Sequence, residues 1–274
     1  MSQLSTLNRA VAIRRGEPIT EGGLTYYPIQ MAQYELYQVH KNALLLRQST
    51  LPAKYAVKDY VNAIFSFEID SIEKGEPSIG LFSSLLILWA MSLRIDIDLK
   101  EYLSSDKIET RKVGNDLEIT HLSMTQNGKT VKVPSFIFST TIRQLIADQN
   151  GLKLPNESVN SELVESQTEL ADLQDNAVVF DQSIENLIAS VAYNSHCRER
   201  DVNEWTIREF ENRLKAINRD KHFTLYAQAE LSGMVTFKKG NPYPSWMYDT
   251  IDTSMGTMAL SKLGKQIGDV SQKE

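Results

Sequence analysis

The stretch from Ile79 to Leu93, IGLFSSLLILWAMSL, restricts the fold of this 274-residue chain more than any other segment. Its side chains are almost all apolar, so a helix formed here belongs in contact with other protein or with lipid. A membrane span needs about 20 apolar residues. This run is shorter, and it contains the serines Ser83, Ser84 and Ser92. We therefore expect a buried core helix, and not a membrane segment.

The segments before this run predict two further helices. Residues 31–48 carry apolar side chains at helical spacing, and Leu36 and Val39 widen the apolar stripe, so we expect a helix that is buried on two sides. Pro52 can open the next helix at its first turn, where the missing N–H is not needed. Three helices with short connections are typical of an antiparallel bundle. Residues 1–25 are polar and predict an extended arm or a short hairpin.

Residues 116–134 interrupt the helical pattern with two alternating runs of apolar and polar side chains. Asn127 and Gly128 lie between these runs, and Asn-Gly is the strongest short signal for a β-hairpin. A short helix is predicted to follow, with Ser139 as its cap and Gly151 as its stop. We therefore expect a β-hairpin that is inserted in the helical N-terminal part.

An acidic and weakly apolar stretch after the hairpin suggests where the chain divides. Its composition fits either a linker or a solvated helix. We predict an N-terminal helical domain at 1–153, this linker or helix at 154–180, a C-terminal helical domain at 181–250 and a flexible tail at 251–274. The predicted fold class is mainly α.

Strong helical patterns return in the predicted C-terminal domain. A helix is predicted from about residue 184, with Ser183 as its cap. Asp201 and Glu204 have the spacing of a capping box, which predicts the start of a long helix there. The apolar residues of that helix recur at helical spacing at Ile207, Phe210, Leu214 and Ile217.

The charge and the cysteine content limit the classes of function. A formal net charge of -6 gives no general attraction to phosphate backbones or anionic lipid, so we expect neither a nucleic-acid nor a membrane partner. The basic runs, at 13–15 and 237–239, are too short to change that expectation. The single cysteine, Cys197, excludes a disulfide within the chain and fits a reducing compartment. The first residues lack the pattern of a secretory signal.

The sequence contains no recognisable catalytic motif. The histidines His40, His121, His196 and His222 are scattered, and no phosphate loop, dinucleotide fingerprint or nucleophile elbow occurs. His196 and Cys197 are the most reactive-looking pair, but neighbouring residues on a helix point about 100° apart, which favours a structural role.

The carboxylates Asp96 and Asp98 could hold a cation, although an exposed edge or a helix cap is favoured. We predict no catalytic residue, no cofactor and no metal, and hence a protein that is not an enzyme.

Several aromatic side chains lie outside the predicted helices. Tyr26 and Tyr27 precede a proline, and Tyr243 and Trp246 lie in a proline-rich stretch. Such side chains either fold back onto their own domain, which we favour, or contact a partner. Proline-rich chain is preorganised in an extended form, so the second cluster is the sharper candidate for a protein contact.

Residues 203–249 resemble the C-terminal part of the tail assembly chaperones of tailed bacteriophages and phage-like tail particles. In both, a polar turn with a tryptophan leads into a long helix, and a Ser-Gly break, a hydrophobic run and a short tail with a tryptophan follow it. The matching residues are Trp205, Phe210, Leu214, Tyr226, Ala229, Ser232, Gly233, Val235, Phe237 and Trp246.

The resemblance implies a non-enzymatic helical protein that acts during tail morphogenesis in the host bacterial cytoplasm. Its implied partners are the tape measure protein and the tail tube protein, and self-association is compatible with it. The alternative is a structural tail or baseplate component that is retained in the virion. The residues that we predict to bind a partner are Tyr26, Tyr27, Trp205, Phe237, Tyr243 and Trp246.

Overall fold

The protein is mostly helical and has a small antiparallel sheet, which agrees with the predicted mainly α fold class. The computed structural model describes residues 3–75, 80–104, 106–114, 116–157, 183–233, 236–237, 241–243 and 245–248. The helices are α1 (Gln3–Arg15), α2 (Tyr34–His40), α3 (Asn42–Leu45), α4 (Ala53–Ala56), α5 (Tyr60–Glu73), α6 (Leu81–Leu93), α7 (Leu99–Ser104), α8 (Ser135–Ile137), α9 (Arg143–Gln149), α10 (Ile184–Ser195), α11 (Glu199–Val202) and α12 (Ile207–Leu231). The strands are β1 (Ile19–Glu21), β2 (Leu24–Tyr26), β3 (Ile108–Val113), β4 (Asp116–Gln126) and β5 (Lys129–Pro134).

The contacts within the chain divide it into two units. Residues 1–157 and 182–214 form the first unit, and residues 158–181 and 215–274 form the second. This grouping differs from the predicted boundaries, because residues 182–214 contact the N-terminal part of the chain. Beyond residue 157, the predicted linker lies outside the described residues, and so does the whole predicted tail.

Helix α6 forms the centre of the first unit, as its composition predicted. Leu85, Leu86, Leu88 and Trp89 are fully buried, and α2, α3, α5 and β2 contact the helix. The Trp89 ring meets the Phe138 ring edge to face, with 4.9 Å between the centroids. Each of these large side chains stabilises the fold by about 1.5–3 kcal/mol on leaving water. No helix in the described part of the chain is long and apolar enough to span a bilayer.

The predicted β-hairpin is confirmed, and it is part of a larger sheet. Strands β4 and β5 pair from His121 opposite Pro134 to Gln126 opposite Lys129. Asn127 and Gly128 form the two-residue turn with φ of 50° and 76°, as a primed turn requires. Strand β3, which was not predicted, pairs with the other edge of β4 to give the order β3-β4-β5.

The N-terminal residues are only partly an extended arm or hairpin. Residues 3–15 form helix α1, and the hairpin is β1 and β2, in which Glu21 faces Leu24 across a Gly-Gly turn. The side chain of Gln126 holds this hairpin by pairing with the backbone of Thr25, whose N–H and carbonyl oxygen both lie 2.8 Å away. The same amide donates to the carbonyl of Leu93 at the end of α6, at 2.9 Å.

Several predicted helix ends are wrong because tertiary contacts move them. The helix predicted over 31–48 consists of a 3₁₀ turn, α2 and α3, with α2 ending before Lys41. The helix that Pro52 opens stops after one turn, and α5 begins later with Asp59 as its cap. Ser139 lies inside a π-helical turn, Phe138–Ile142, so it does not cap its own helix.

Residues 182–214 join the N-terminal part through backbone hydrogen bonds. The N–H of Met31 donates to the carbonyl of Trp205 at 2.8 Å, and the N–H of Ile207 donates to Ile29 at 2.9 Å. Ser183 caps α10 as predicted, by accepting from the N–H of Asn186. The predicted capping box of Asp201 and Glu204 is wrong, because Asp201 lies within α11 and α12 begins only at Ile207.

The second unit contains the later part of α12 and the residues that follow it. The helix ends at Leu231, and Gly233 after it has a φ of 69°, which confirms the predicted break at the Ser-Gly pair. A left-handed glycine just past the last turn is a common way to end a helix.

Candidate partner-binding groove

An open groove in the first unit runs along one side of the core helix. Its volume is about 920 Å³, and ligand sites typically measure about 300–1,000 Å³. Ile87, Ala90 and Met91 of α6 line it. Ile87 is only half-buried, although its neighbours Leu86 and Leu88 are completely buried. Ala90 and Met91 are buried, so Ile87 is the α6 side chain that the groove leaves accessible to a partner.

Two walls flank this face, and together they define the α6 groove. One wall is the start of α2, with Gln33 and Leu36. The other is the segment Arg94 to Leu99, between α6 and α7. The apolar residues that line the groove are Leu36, Ile87, Met91, Ile95, Ile97 and Leu99.

Exposed apolar side chains on α2 enlarge the apolar surface. The exposed fraction is 47% for Leu36 and 71% for Val39. Residues three apart in a helix lie on the same face. Our prediction that this helix is buried on both sides is therefore wrong, because one of its two apolar faces has no described neighbour covering it. The sequence shows the apolar stripe of this helix but not which part of the stripe stays uncovered, and contiguous apolar surface is typical of protein contacts.

The outer wall of the groove is acidic. Asp96 and Asp98 are exposed, whereas Ile95 before them and Ile97 between them are half-buried. The Asp98 carboxylate accepts from the N–H groups of Lys100 and Glu101 at 2.8 and 3.2 Å, so it caps α7 as the favoured interpretation predicted. Asp96 makes no hydrogen bond or ion pair with any residue that the structure describes.

A smaller pocket of about 380 Å³ adjoins the groove at Arg94, Ile95 and Asp96. The Arg94 guanidinium lies 4.5 Å from the centroid of the Tyr27 ring, which also lines this pocket. Arg94 ends α6 in the left-handed conformation, with φ of 55°. A non-glycine residue there costs roughly 1–2 kcal/mol. The contact with Tyr27 and the hydrogen bonds at the end of α6 offset this cost.

The predicted contact residues of the first unit differ in their exposure. Tyr26 is the last residue of β2 and is fully buried, and its carbonyl accepts from the Gln149 side chain at 3.1 Å. Burial raises the pKa of its phenol well above the usual value. Tyr26 therefore offers no surface to a partner, and this residue of the prediction is corrected. Tyr27 is half-buried beside the groove, and the half-buried ring of Trp205 lies 4.1 Å from the guanidinium of Arg213.

The predicted contact residues of the second unit belong to an aromatic cluster on α12. Tyr243 stacks on His222 with 4.6 Å between the ring centroids, and Phe237 lies 5.4 Å from Tyr226. The exposed fraction of Trp246 is 52%, and its carbonyl accepts from Arg219 at 2.7 Å. Tyr243 and Phe237 thus fold back, as we favoured, whereas the Trp246 side chain remains available.

His196 and Cys197 have a structural explanation at the end of α10. His196 is left-handed, with φ of 54°, and the N–H of Cys197 donates to the carbonyl of Ala192 at 3.1 Å. These features are those of a helix C-terminus. Within the described ranges, no three His, Cys, Asp or Glu side chains are grouped so that they could hold a metal ion.

Comparison with known protein families, curated proteins and solved structures identifies no relative of this chain. No family model matches the chain, and no match is found among curated proteins or solved structures. The α6 groove and the sequence pattern of residues 203–249 are therefore the observations on which a function can be based.

Proposed function

We propose that this chain is a phage tail assembly chaperone that holds a helical segment of the tape measure protein in the α6 groove. The observation that carries the proposal is the apolar lining of the α6 groove, with the half-buried Ile87 and the exposed Leu36, on a helix that also exposes Val39. An apolar surface of this kind is costly in water unless a partner covers it.

The proposed partner has a chemistry that fits such a groove. A tape measure protein is a long helical polypeptide, and its apolar stripe needs cover until the tail tube encloses it. An amphipathic helix binds in a groove through apolar anchors spaced three or four residues apart.

The resemblance of residues 203–249 supports the choice of partner. Helix α12 ends at Leu231, just before the Ser-Gly pair that belongs to the resemblance. In the proposed function, the tail tube protein is a second partner, and Trp246 is the candidate contact in the second unit because its side chain is exposed.

The proposal is tested by co-expressing the chain with the tape measure protein and measuring co-purification. Leu36→Asp places a charge in the groove wall and is expected to lower capture about fivefold or more, which corresponds to a loss of at least about 1 kcal/mol. The matched control is Val57→Asp, because Val57 is 85% exposed and does not line the groove. Equal capture of both variants and the wild type would exclude the groove as the binding site.

The alternative, a structural tail or baseplate component, is separated by a second measurement. Mass spectrometry of finished particles detects a structural component at fixed stoichiometry, whereas a chaperone is absent. Presence at fixed stoichiometry would overturn the chaperone proposal even if the tape measure protein were captured.

A further inference from the structure

We infer that the α6 groove selects a cationic helix, with lysine or arginine beside its apolar stripe, over an acidic or neutral one. This inference rests on the proposed function, in which the groove holds a helix. It specifies the charge of the bound helix, which we infer from the acidic side chains of the outer wall of the groove.

The spacing of the acidic side chains carries the first step. Residues 95–98, between the end of α6 and the start of α7, alternate between half-buried apolar and exposed acidic side chains, which is the pattern of an extended chain. Asp96 and Asp98 therefore point to the same side, about 6.6 Å apart along the chain. Side chains four residues apart on a helix lie on one face and are separated by about 6 Å along the axis. Two basic residues at positions i and i+4 of a bound helix thus match the two aspartates.

The remaining bonding capacity of the aspartates carries the second step. Asp96 has no hydrogen-bond or ion-pair partner within the described ranges, and its side chain is exposed. Asp98 caps α7 through Oδ1, which leaves Oδ2 without a hydrogen bond to any described group. Both carboxylates can therefore accept from a partner while the fold stays intact.

The only cation that lines the groove in the described part of the chain does not cancel this charge. Arg94 lies at the inner end of the wall, and its guanidinium is held over the Tyr27 ring at 4.5 Å. An acidic helix in the groove would bring like charges next to Asp96 and Asp98, which opposes binding. The apolar floor supplies the affinity, and the acidic wall sets the sign of the preferred charge.

The inference is tested with two fluorescent synthetic peptides that share one apolar helical stripe. One peptide carries lysine at the flanking i and i+4 positions, and the other carries glutamate. Fluorescence anisotropy with the full chain measures the two dissociation constants at low and at high salt. We expect the lysine peptide to bind about three- to tenfold more tightly at low salt. The ratio should approach one in about 1 M salt, where the Debye length is about 3 Å.

Charge reversal locates the effect in the groove. Asp96→Lys is expected to reverse the preference, and Asp96→Asn is expected to weaken it. Glu73→Lys makes the same change in net charge at an exposed position on α5, outside the groove, and is expected to keep the wild-type preference.

Equal binding of both peptides by the wild type, or a Glu73→Lys effect as large as that of Asp96→Lys, would overturn the inference. The proposed function would then still stand if Leu36→Asp weakened both peptides. If Leu36→Asp left both peptides bound at wild-type strength, the groove would not be the site, and the proposed function would fail with it.

Discussion

Replacing Asn62 by alanine is expected to destabilise the first unit more than any surface change, because its side chain continues a β-ladder. Strands β4 and β5 pair only as far as His121 and Pro134, so Ile119 lies beyond the end of β5. The Asn62 amide takes the place of the missing strand. Its Oδ1 accepts from the N–H of Ile119 at 2.6 Å, and its Nδ2 donates to the Ile119 carbonyl at 3.0 Å.

The magnitude follows from the two backbone groups that the substitution leaves without a partner. The side chain of Asn62 is 4% exposed and Ile119 is 1% exposed, so water does not readily replace the amide. Each unsatisfied buried group costs about 1–3 kcal/mol. Alanine regains roughly 0.7 kcal/mol through its higher helix propensity. We therefore expect a loss of about 1–5 kcal/mol, against a typical total stability of about 5–15 kcal/mol.

The assay is urea unfolding followed by circular dichroism. With a slope of about 1–3 kcal/mol per molar urea, the midpoint is expected to fall by at least about 0.4 M. Asn212→Ala is the matched control, because Asn212 is an exposed asparagine on α12. Its free energy of unfolding should change by no more than about 0.5 kcal/mol, as is usual for surface substitutions. A loss below about 1 kcal/mol for Asn62→Ala would refute the reasoning, since it would mean that Ile119 finds another partner.

Three further predictions concern the end of α10 and the buried phenols. His196→Gly should raise the free energy of unfolding by about 0.5–1 kcal/mol, because His196 has a φ of 54° that glycine adopts without strain. If urea titration instead shows a lower free energy of unfolding for the variant, the imidazole makes a stabilising contact. Cys197→Ala should keep wild-type capture of the partner, and a loss of any measured activity would instead identify the thiol as a reactive group. Burial raises the pKa of Tyr60 from 10.0 to about 12, so its contribution to stability is complete below pH 10 and is lost as the pH rises towards 12. The loss is about 1.4 kcal/mol per pH unit for each such phenol. The measurements are the urea midpoint and the phenolate absorbance as functions of pH. Ionisation of the phenol in the folded protein, before unfolding, would contradict the prediction. Burial also raises the pKa of other phenols, those of Tyr26, Tyr34, Tyr37, Tyr55 and Tyr102.

The elements that the sequence predicted well are those whose signals are local. The hydrophobicity of residues 79–93 requires an apolar environment, and the run is too short to span a membrane, so these two local properties are enough to place α6 in the core. The turn at Asn127 and Gly128 depends on two residues that tolerate positive φ, so the hairpin needs no distant contact to specify it. Ser183 and Gly233 mark helix ends for the same local reason.

The elements that were missed depend on contacts distant in sequence. Ser139 has the composition of a helix cap, but its hydroxyl accepts from the N–H of Val61 at 3.1 Å and donates to Asp59 at 3.0 Å. It therefore helps to cap α5 from a different part of the chain. Strand β3 has four exposed residues at its end, so alternation could not reveal it, and only its pairing with β4 defines it. Propensity alone cannot specify such features, because tertiary contacts outweigh it.

The α6 groove could not be read from the sequence for a further physical reason. Helical periodicity reports that Leu36 and Val39 are apolar at helical spacing, and this pattern is the same whether a helix is covered by its own chain or by a partner. Only the packing distinguishes the two cases, since α2 uses Tyr37 for the core and leaves Leu36 and Val39 exposed. A sequence with more apolar faces than its own fold covers is what a chain needs if it shields another protein. The wrong expectation for α2 and the proposed function therefore have the same origin: apolar surface on α2 that the described fold does not cover.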